Sequence, residues 1–160
     1  MICYQSNGGR EQIHLSENVI AHFYHNRQLN VDDTEAGGQL FAKISDGLVS
    51  IELATGPRAL DWRSRFFFRP NRFLERLEIS NLHKRGLHYV GDWHTHPEPV
   101  PTPSFIDRTS IHDTFLRSRH NYAGILMIIV GQSDAPQGLY VAIADAKNLT
   151  PLSTIKCCRI

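Results

Sequence analysis

The sequence predicts an α/β domain in which helices pack against a mixed β-sheet. Strand-like and helical segments alternate along the chain, with no internal repeat or low-complexity tract. The nearly continuous apolar run at 123–130 is typical of a strand buried on both faces. With 160 residues, 41% of them hydrophobic and 21% charged, we expect one domain, residues 1–160, with a sizeable core.

Hydrophobic periodicity and turn residues place the individual elements. The predicted strands are residues 11–15, 37–44, 48–54, 87–96, 123–130 and 139–144, with a short edge strand in the tail 150–160. The predicted helices begin at polar capping residues and run from Ser16 to about 28, from Asn71 to near 86, and from Ser104 to about 117. The connector 55–70 carries no predicted element.

Composition excludes several classes of protein. The formal net charge is +1, so no overall charge favours nucleic acid or an acidic membrane surface. We see neither an apolar run that could span a bilayer nor a signal peptide, and we expect a cytoplasmic protein. The three cysteines, Cys3, Cys157 and Cys158, form no CxxC pair, and we expect reduced thiols.

The stretch GDWHTHPEPVPTPSFIDRTS, residues 91–110, holds the residues with chemical potential. His94 and His96 are two residues apart, so on a strand both side chains project from one face, whereas Trp93 and Thr95 point to the other. Neutral imidazole is a good zinc ligand. The pair therefore offers two ligands to one metal ion.

A proline-rich loop and a helix start follow the histidines. The run PEPVPTP, 97–103, cannot form a helix and is predicted to be a stiff, extended loop. Ser104 then begins a helix, and Asp107 lies on the same helix face three residues later. Two imidazoles and one carboxylate make a three-ligand site whose fourth position stays open for water, as catalytic zinc requires.

Each pattern also has a plain structural interpretation. An HxH pair alone is compatible with partly exposed strand histidines, and an SxxD pair at a helix start is a common capping pattern. Asp92 shares a strand face with His94, where it either orients a ligand histidine or bonds to the backbone at the strand end. The fixed order of these residues across one proline loop favours the metal interpretation.

These residues match the H-x-H-x7-S-x2-D signature at His94, His96, Ser104 and Asp107, and the chain resembles the JAMM (JAB/MPN) metalloproteases. That family also places a glutamate before a glycine-rich strand, and TEAGGQLFA offers Glu35 in that setting. The resemblance covers about residues 35–130, most of the chain.

The resemblance implies a JAB/MPN fold, a curved mixed β-sheet flanked by helices and related to cytidine deaminases. It implies Zn2+ held by His94, His96 and Asp107. It also implies that Ser104 positions the bound water and stabilises the oxyanion, and that Glu35 is the general base and then the general acid. Zinc lowers the pKa of bound water to roughly 7, which suits hydrolysis near neutral pH.

Glu98 is a rival general base, because it lies in the loop two residues after His96. The residues alone leave Glu35 and Glu98 as alternatives. The resemblance favours Glu35, and the rigid start of a strand holds a base better than a loop does.

The stretch 91–107 resembles in particular the small stand-alone JAB-type peptidases of bacterial antiphage operons, which include CBASS systems and related ubiquitin-like conjugation operons. In CBASS, an E1–E2-like ligase joins the C-terminus of a cGAS-like nucleotidyltransferase to target lysines, and the peptidase cuts that bond. The resemblance implies the same activity here, on a protein substrate that presents an extended C-terminal tail.

Three other functions compete with this interpretation. A peptidase could instead process sulfur-carrier or ubiquitin-like precursors with the same metal site. A non-catalytic MPN scaffold would typically lack ligands that are all present here. A zinc deaminase on a related fold needs a PCxxC pair, which the sequence lacks.

The segment 62–76, WRSRFFFRPNRFLER, interleaves basic and aromatic residues. Its arginines are Arg63, Arg65, Arg69, Arg72 and Arg76. Such a pattern occurs in nucleic-acid-binding proteins, but the near-neutral net charge of the chain argues against a nucleic-acid partner. We expect the phenylalanines to make core contacts and some arginines to be solvated. A further hypothesis is that one or two arginines line the groove for the substrate's tail. That tail could pair with the edge of a sheet as an additional strand.

Overall fold

The structure is a computed structural model that describes residues 1–6, 9, 11–118 and 122–157. Its strands are β1 (Ile2–Gln5), β2 (Gln12–Leu15), β3 (Gly37–Ser45), β4 (Leu48–Ala54), β5 (Trp62–Ser64), β6 (Phe67–Arg69), β7 (His88–Thr95), β8 (Ile125–Val130), β9 (Leu139–Ala144), β10 (Leu149–Pro151) and β11 (Ser153–Ile155). Its helices are α1 (Glu17–His25), α2 (Arg72–His83) and α3 (Phe105–Arg117).

The main sheet is mixed and strongly curved. Its nine strands lie in the order β10-β9-β8-β7-β3-β4-β2-β1-β11. The β2–β4 and β7–β8 pairs are parallel, and the other neighbouring pairs are antiparallel. Only Leu152 separates β10 from β11, although these strands form opposite edges of the sheet. The sheet is therefore so strongly curved that its two edge strands lie close enough to be joined by one residue. The predicted curved mixed sheet is confirmed.

Helices cover both faces of the sheet. Val19 and Phe23 of α1 are buried in the larger core cluster together with Trp93 of β7. On the other face, Ile111 of α3 packs with Met127 and other residues of β8 and β9. The central strands are consequently buried on both faces, as the apolar run at β8 predicts.

A bulge in β7 positions its side chains. Phe41 pairs with Tyr89 and Leu40 with Gly91, so Val90 is the extra residue on the β7 side. Gly91 has a φ of 153°, and a Cβ there would lie 2.0 Å from the carbonyl oxygen of Leu126. Only glycine fits this close approach.

The sequence missed some elements and placed others well. The capping residues Ser16, Asn71 and Ser104 are confirmed as N-caps of the three helices. The connector 55–70 contains the hairpin β5–β6, which forms a separate two-stranded sheet, and β1 was not predicted at all. The tail holds two short strands rather than one, and its last residues, 158–160, lie outside the described part. No helix of the described residues is long and apolar enough to cross a membrane.

Cys3 and Cys157 form a disulfide, so the prediction of reduced thiols is wrong for this pair. The cause lies in the sheet. Cys3 of β1 pairs with Ile155 of β11, which brings Cys157 close enough for a Cα–Cα distance of 5.4 Å. Cys158 lies outside the described residues, and the cytoplasmic location stays a prediction.

Candidate metal centre and active site

His94 and His96 lie at the C-terminal end of β7. His94 is in register with Gly37 of β3 and with Ile129 of β8, and the backbone N–H of His96 donates to the carbonyl of Val130 at 2.9 Å. Both side chains are 15% exposed. The alternation predicted for this strand is confirmed, because Trp93 and Thr95 point away from the site and are fully buried.

The proline loop is fastened to the loop between β8 and β9. The backbone N–H of Gln132 donates to the carbonyl of Glu98 at 2.8 Å, and that of Ser133 donates to Pro99 at 3.1 Å. The Glu98 carboxylate accepts from the backbone N–H of Thr102 at 3.2 Å. The loop bends over residues 97–100, so the expected extended course is wrong there, but it is held at several points, which fixes α3 relative to β7.

Ser104 and Asp107 form a capping box at the start of α3. The Ser104 hydroxyl accepts from the backbone N–H of Asp107 at 3.2 Å, and Oδ2 of Asp107 accepts from the backbone N–H of Ser104 at 2.7 Å. The capping interpretation of the SxxD pair therefore holds. It also fixes the orientation of the Asp107 carboxylate, and the Ser104 side chain contributes to holding the pKa of that carboxyl low.

The ligand atoms predicted for a metal converge on one point. Nε2 of His94 and Nε2 of His96 lie 3.2 Å apart. Oδ1 of Asp107 lies 3.2 Å from the first nitrogen, and its Oδ2 lies 3.4 Å from the second. A tetrahedral zinc ion with ligand bonds of about 2.1 Å would separate its ligand atoms by about 3.4 Å. The three residues consequently fit such an ion.

The charges of this group are strongly coupled. Burial acts to raise the pKa of Asp107, but hydrogen bonds with His94 and His96 outweigh it and hold that pKa well below its usual range. Burial acts to lower the pKa of His96, but the hydrogen bond to Asp107 raises it overall. A carboxylate that stays ionised beside two imidazoles is an arrangement that a divalent cation can occupy.

Glu35 directly precedes β3, and its backbone is held from two sides. Its N–H donates to the carbonyl of Ser64 at 2.7 Å, and its carbonyl accepts from Nε of Arg63 at 2.7 Å. The next residue, Ala36, donates its N–H to the Thr95 hydroxyl at 2.9 Å and accepts from the Thr95 N–H at 2.8 Å. Burial raises the pKa of the Glu35 carboxyl, and the neighbouring histidines oppose that rise.

A cavity of about 650 Å³ connects these residues. All five residues of the predicted site line it, namely Glu35, His94, His96, Ser104 and Asp107. Glu98, the rival base, lines it as well. The walls are largely apolar and include Phe66, Phe68, Ile111 and Met127. The structure thus brings the predicted residues to one cavity with room for a segment of peptide.

Among the described residues, Asp92 hydrogen-bonds neither to a ligand histidine nor to the backbone at the strand end, the two partners considered from the sequence, but to Tyr89. The Tyr89 hydroxyl donates to Oδ1 of Asp92 at 3.0 Å, because the β7 bulge brings both residues to one face. Burial and the charge of nearby Glu75 raise the pKa of Asp92 to about 7, although the Tyr89 hydrogen bond opposes the rise. Glu75 is itself buried and receives a hydrogen bond from Arg72 at 2.9 Å. No described hydrogen bond joins Asp92 to a histidine ring, although the nearby His94 also opposes the rise in the Asp92 pKa.

The phenylalanines of segment 62–76 are not core residues, so that expectation is wrong. Phe66 and Phe67 are exposed, since the β5–β6 hairpin lies outside the main sheet, and Phe73 is exposed in the first turn of α2. Arg63 and Arg65 are not simply solvated, because both donate to backbone carbonyls of residues 30–35. Arg69 and Arg72 line the cavity, as the groove hypothesis expects.

The sequence did not reveal the role of two residues, Thr95 and Arg63, that bind the backbone next to the site. Thr95 was assigned only to the far face of β7, yet its hydroxyl links Ala36 to the buried side chain of Gln28 at 2.9 Å. A small polar residue facing the core between two ligands is a signal that could have found it. Arg63 gave no such signal, because its backbone partners are distant in sequence. Of the remaining histidines, none was assigned a role, and His120 lies outside the described residues.

Comparison with known proteins identifies the family. The sequence family described as prokaryotic homologs of the JAB domain matches residues 17–143. The chain belongs to this JAB-domain family. Its sheet and helices are therefore those of a JAB/MPN fold, and the family resemblance seen in the sequence is confirmed.

Individual relatives of this JAB-domain protein are similar over much of its length. A Pseudomonas aeruginosa protein named "CD-NTase/cGAS isopeptidase" is 30% identical over 92% of both chains. A Sinorhizobium fredii protein named "Probable metalloprotease y4qB" is 36% identical over 54% of this chain and 55% of that one. A solution structure from Desulfitobacterium hafniense shares the fold, with a TM-score of 0.62, 18% identity and coverage of 87% of this chain and 88% of that one.

Proposed function

We propose that this JAB-domain protein is a zinc-dependent isopeptidase. It cleaves a protein C-terminus from a lysine side chain or from a linear fusion. The observation that carries the proposal is the convergence of His94, His96 and Asp107, with ligand atoms 3.2–3.4 Å apart, in a cavity that Glu35 and Ser104 also line.

His94, His96 and Asp107 would hold the zinc ion. When bound, zinc supplies a water molecule of lowered pKa and polarises the scissile carbonyl. The protein's part is to hold three ligands in fixed geometry. The β7 strand orients the two imidazoles, and the capping box with Ser104 orients the carboxylate.

Glu35 moves the proton. Its carboxylate accepts a proton from the attacking water and then delivers it to the leaving amine. Burial, which raises the pKa of Glu35, suits a group that must both take and release a proton near neutral pH. The Ser104 hydroxyl lines the same cavity and supplies a donor for the oxygen on which negative charge develops.

The proposed substrate is a conjugate of a CD-NTase, a cGAS-like nucleotidyltransferase, joined through its C-terminus to a lysine by an E1–E2-like ligase. The names of relatives support this substrate, since proteins similar over most of the chain are named "CD-NTase/cGAS isopeptidase". The cavity volume of about 650 Å³ and its largely apolar lining suit a segment of peptide. The activity would then oppose the ligase in bacterial antiphage defence.

A cleavage assay tests the proposal. The substrates are CD-NTase and ubiquitin-like C-termini, each fused to a reporter or joined to a lysine. Zinc-loaded protein should cut the CD-NTase conjugate, a chelator should abolish cleavage, and added zinc should restore it. Asp107→Asn should abolish both cleavage and zinc retention. Asp113→Asn is the matched control, because Asp113 lies on the same helix, is largely exposed and pairs only with Arg117 among its described contacts.

Each outcome has a clear meaning. Cleavage that persists without metal, or in Asp107→Asn, contradicts the metal mechanism. Cleavage of ubiquitin-like but not CD-NTase tails would replace the substrate and keep the chemistry. Zinc binding without cleavage of any tail would favour a scaffold.

A further inference from the structure

The β5–β6 hairpin grips the backbone of the segment that carries Glu35. Arg63 of β5 donates from Nε to the carbonyl of Glu35 at 2.7 Å and from Nη2 to the carbonyl of Thr34 at 3.2 Å. The neighbouring residue, Ser64, accepts from the backbone N–H of Glu35 at 2.7 Å. Two successive residues of one strand therefore bind both polar groups of the Glu35 backbone.

The arginine side chain suits this contact. A guanidinium presents several N–H donors in a fixed, planar fork and always carries a positive charge, which strengthens its hydrogen bonds. Strand alternation turns Arg63 inward, whereas its neighbours Trp62 and Ser64 are exposed. A lysine could reach one of the two carbonyls but could not hold both with the same rigidity.

We infer that Arg63 is a positioning residue that sets the location of the Glu35 carboxylate. Thr95 of β7 holds Ala36 on one side of Glu35, and Arg63 holds Thr34 and Glu35 on the other. Arg63 is not among the described residues that line the cavity, so it acts through the Glu35 backbone rather than on the substrate. The inference rests on the proposed function, in which Glu35 transfers the proton.

The hairpin offers a matched control. Arg65 also joins it to the preceding loop, by donating to the carbonyls of Asn30 and Val31, but it does not touch Thr34 or Glu35 in the described contacts. Arg63→Ala and Arg65→Ala each remove one charged anchor of the same hairpin. A role limited to hairpin stability predicts similar effects, whereas positioning of Glu35 predicts different ones.

The test compares steady-state kinetics of zinc-loaded Arg63→Ala, Arg63→Lys and Arg65→Ala on the conjugate that the wild type cleaves. Displacing a catalytic group by about 1 Å costs on the order of 100-fold. We expect Arg63→Ala to lower kcat by about 30–100-fold with KM and zinc content unchanged. Arg63→Lys should recover part of that loss, and Arg65→Ala should stay within about threefold of wild type.

A double mutant and hydrogen exchange complete the test. If Arg63 acts through Glu35, Arg63→Ala should cause no further loss in a Glu35→Gln background, since the two effects share one group. Hydrogen exchange of a peptide covering residues 33–37 should speed up in Arg63→Ala and not in Arg65→Ala. This second measurement needs no substrate.

Several results would overturn the inference. Equal losses in Arg63→Ala and Arg65→Ala would show that the hairpin is only structural, and a raised KM with normal kcat would show a substrate contact. Unchanged exchange at 33–37 would show that Arg63 does not hold Glu35. If Arg63→Ala fails to fold, a fully active Arg63→Lys with wild-type exchange counts against the inference. If the wild type shows no metal-dependent cleavage, the proposed function is contradicted instead. The hydrogen-exchange measurement then still tests whether Arg63 anchors the Glu35 backbone.

Discussion

The hydroxyl of Ser104 accepts a hydrogen bond from the backbone of Asp107 while the carboxylate of Asp107 accepts one from the backbone of Ser104. The same carboxylate faces both histidine rings. One side chain thus caps α3 and faces the two histidines of the candidate metal centre, and the position of its oxygens is set by helix formation itself. The residues of the helix cap consequently belong to the candidate ligand set as well.

Replacing Ser104 separates its two roles. Ser104→Ala removes the cap and should lower the free energy of unfolding by about 1 kcal/mol, whereas Ser104→Gly should lower it by only a few tenths of that. Both variants lose the hydroxyl donor proposed for the developing oxyanion, and both should lower kcat by about 100–1,000-fold. Urea unfolding and steady-state kinetics measure the two effects. An active Ser104→Gly would show that the hydroxyl serves only as a cap.

The choice between Glu35 and Glu98 as general base is open to direct measurement. Glu98 already accepts a hydrogen bond from the loop backbone at Thr102, whereas Glu35 is partly buried near the two histidines and Asp107. We expect Glu35→Gln to lower kcat by about 100–10,000-fold with zinc content unchanged. Glu98→Gln should change kcat by less than about tenfold, through loss of loop order. The reverse ranking of the two variants would assign the base to Glu98.

Local chemistry explains why much of the site could be predicted. Strand alternation fixes the common face of His94 and His96, and the capping preference of serine fixes the start of α3. Both rules operate over a few neighbouring residues, so they can be applied to the sequence directly. The approach of Asp107 to the histidines was then inferred from a short, stiff loop, and the resemblance to a known family supplied Glu35.

Long-range contacts explain what was missed. The β5–β6 hairpin has strands of three residues each, too short for a periodic pattern, and it is held by Arg63 and Arg65 bonding to a loop about 30 residues away. The Cys3–Cys157 disulfide depends on the curvature that brings the two chain ends together. Neither has a signature in the local sequence.

The partly buried carboxyl of Asp92 should make stability depend on pH. Its pKa is raised to about 7, whereas in the unfolded chain it titrates near its ordinary value of about 4. Between these values the folded chain keeps a proton that the unfolded chain releases. This group therefore lowers the free energy of unfolding as pH rises from about 4 to about 7, with no further change above that range.

Asp92→Asn tests this dependence, because the amide cannot ionise and can still accept the Tyr89 hydrogen bond. In metal-free protein, the variant should match wild type below pH 4 and exceed it by about 2 kcal/mol at pH 8, a value reduced because the side chain partly faces the cavity. Urea unfolding at several pH values measures the difference. Asp113→Asn, an exposed carboxylate, should show no such trend, and a variant less stable than wild type at pH 8 would refute the assignment.

The Cys3–Cys157 disulfide should stabilise the fold without contributing to catalysis. It joins residues 154 apart in sequence, and a crosslink of that span restricts the unfolded chain. Cys3→Ser should lower the free energy of unfolding by roughly 3 kcal/mol under oxidising conditions and by little in the presence of a reductant. Because β2, β4 and β3 separate β1 from β7, kcat should change by less than about twofold at low temperature. Cys158→Ser is the control and should leave the free energy of unfolding unchanged. If reductant does not destabilise the wild type, or if Cys158→Ser destabilises it as strongly as Cys3→Ser does, then this crosslink does not stabilise the protein in solution.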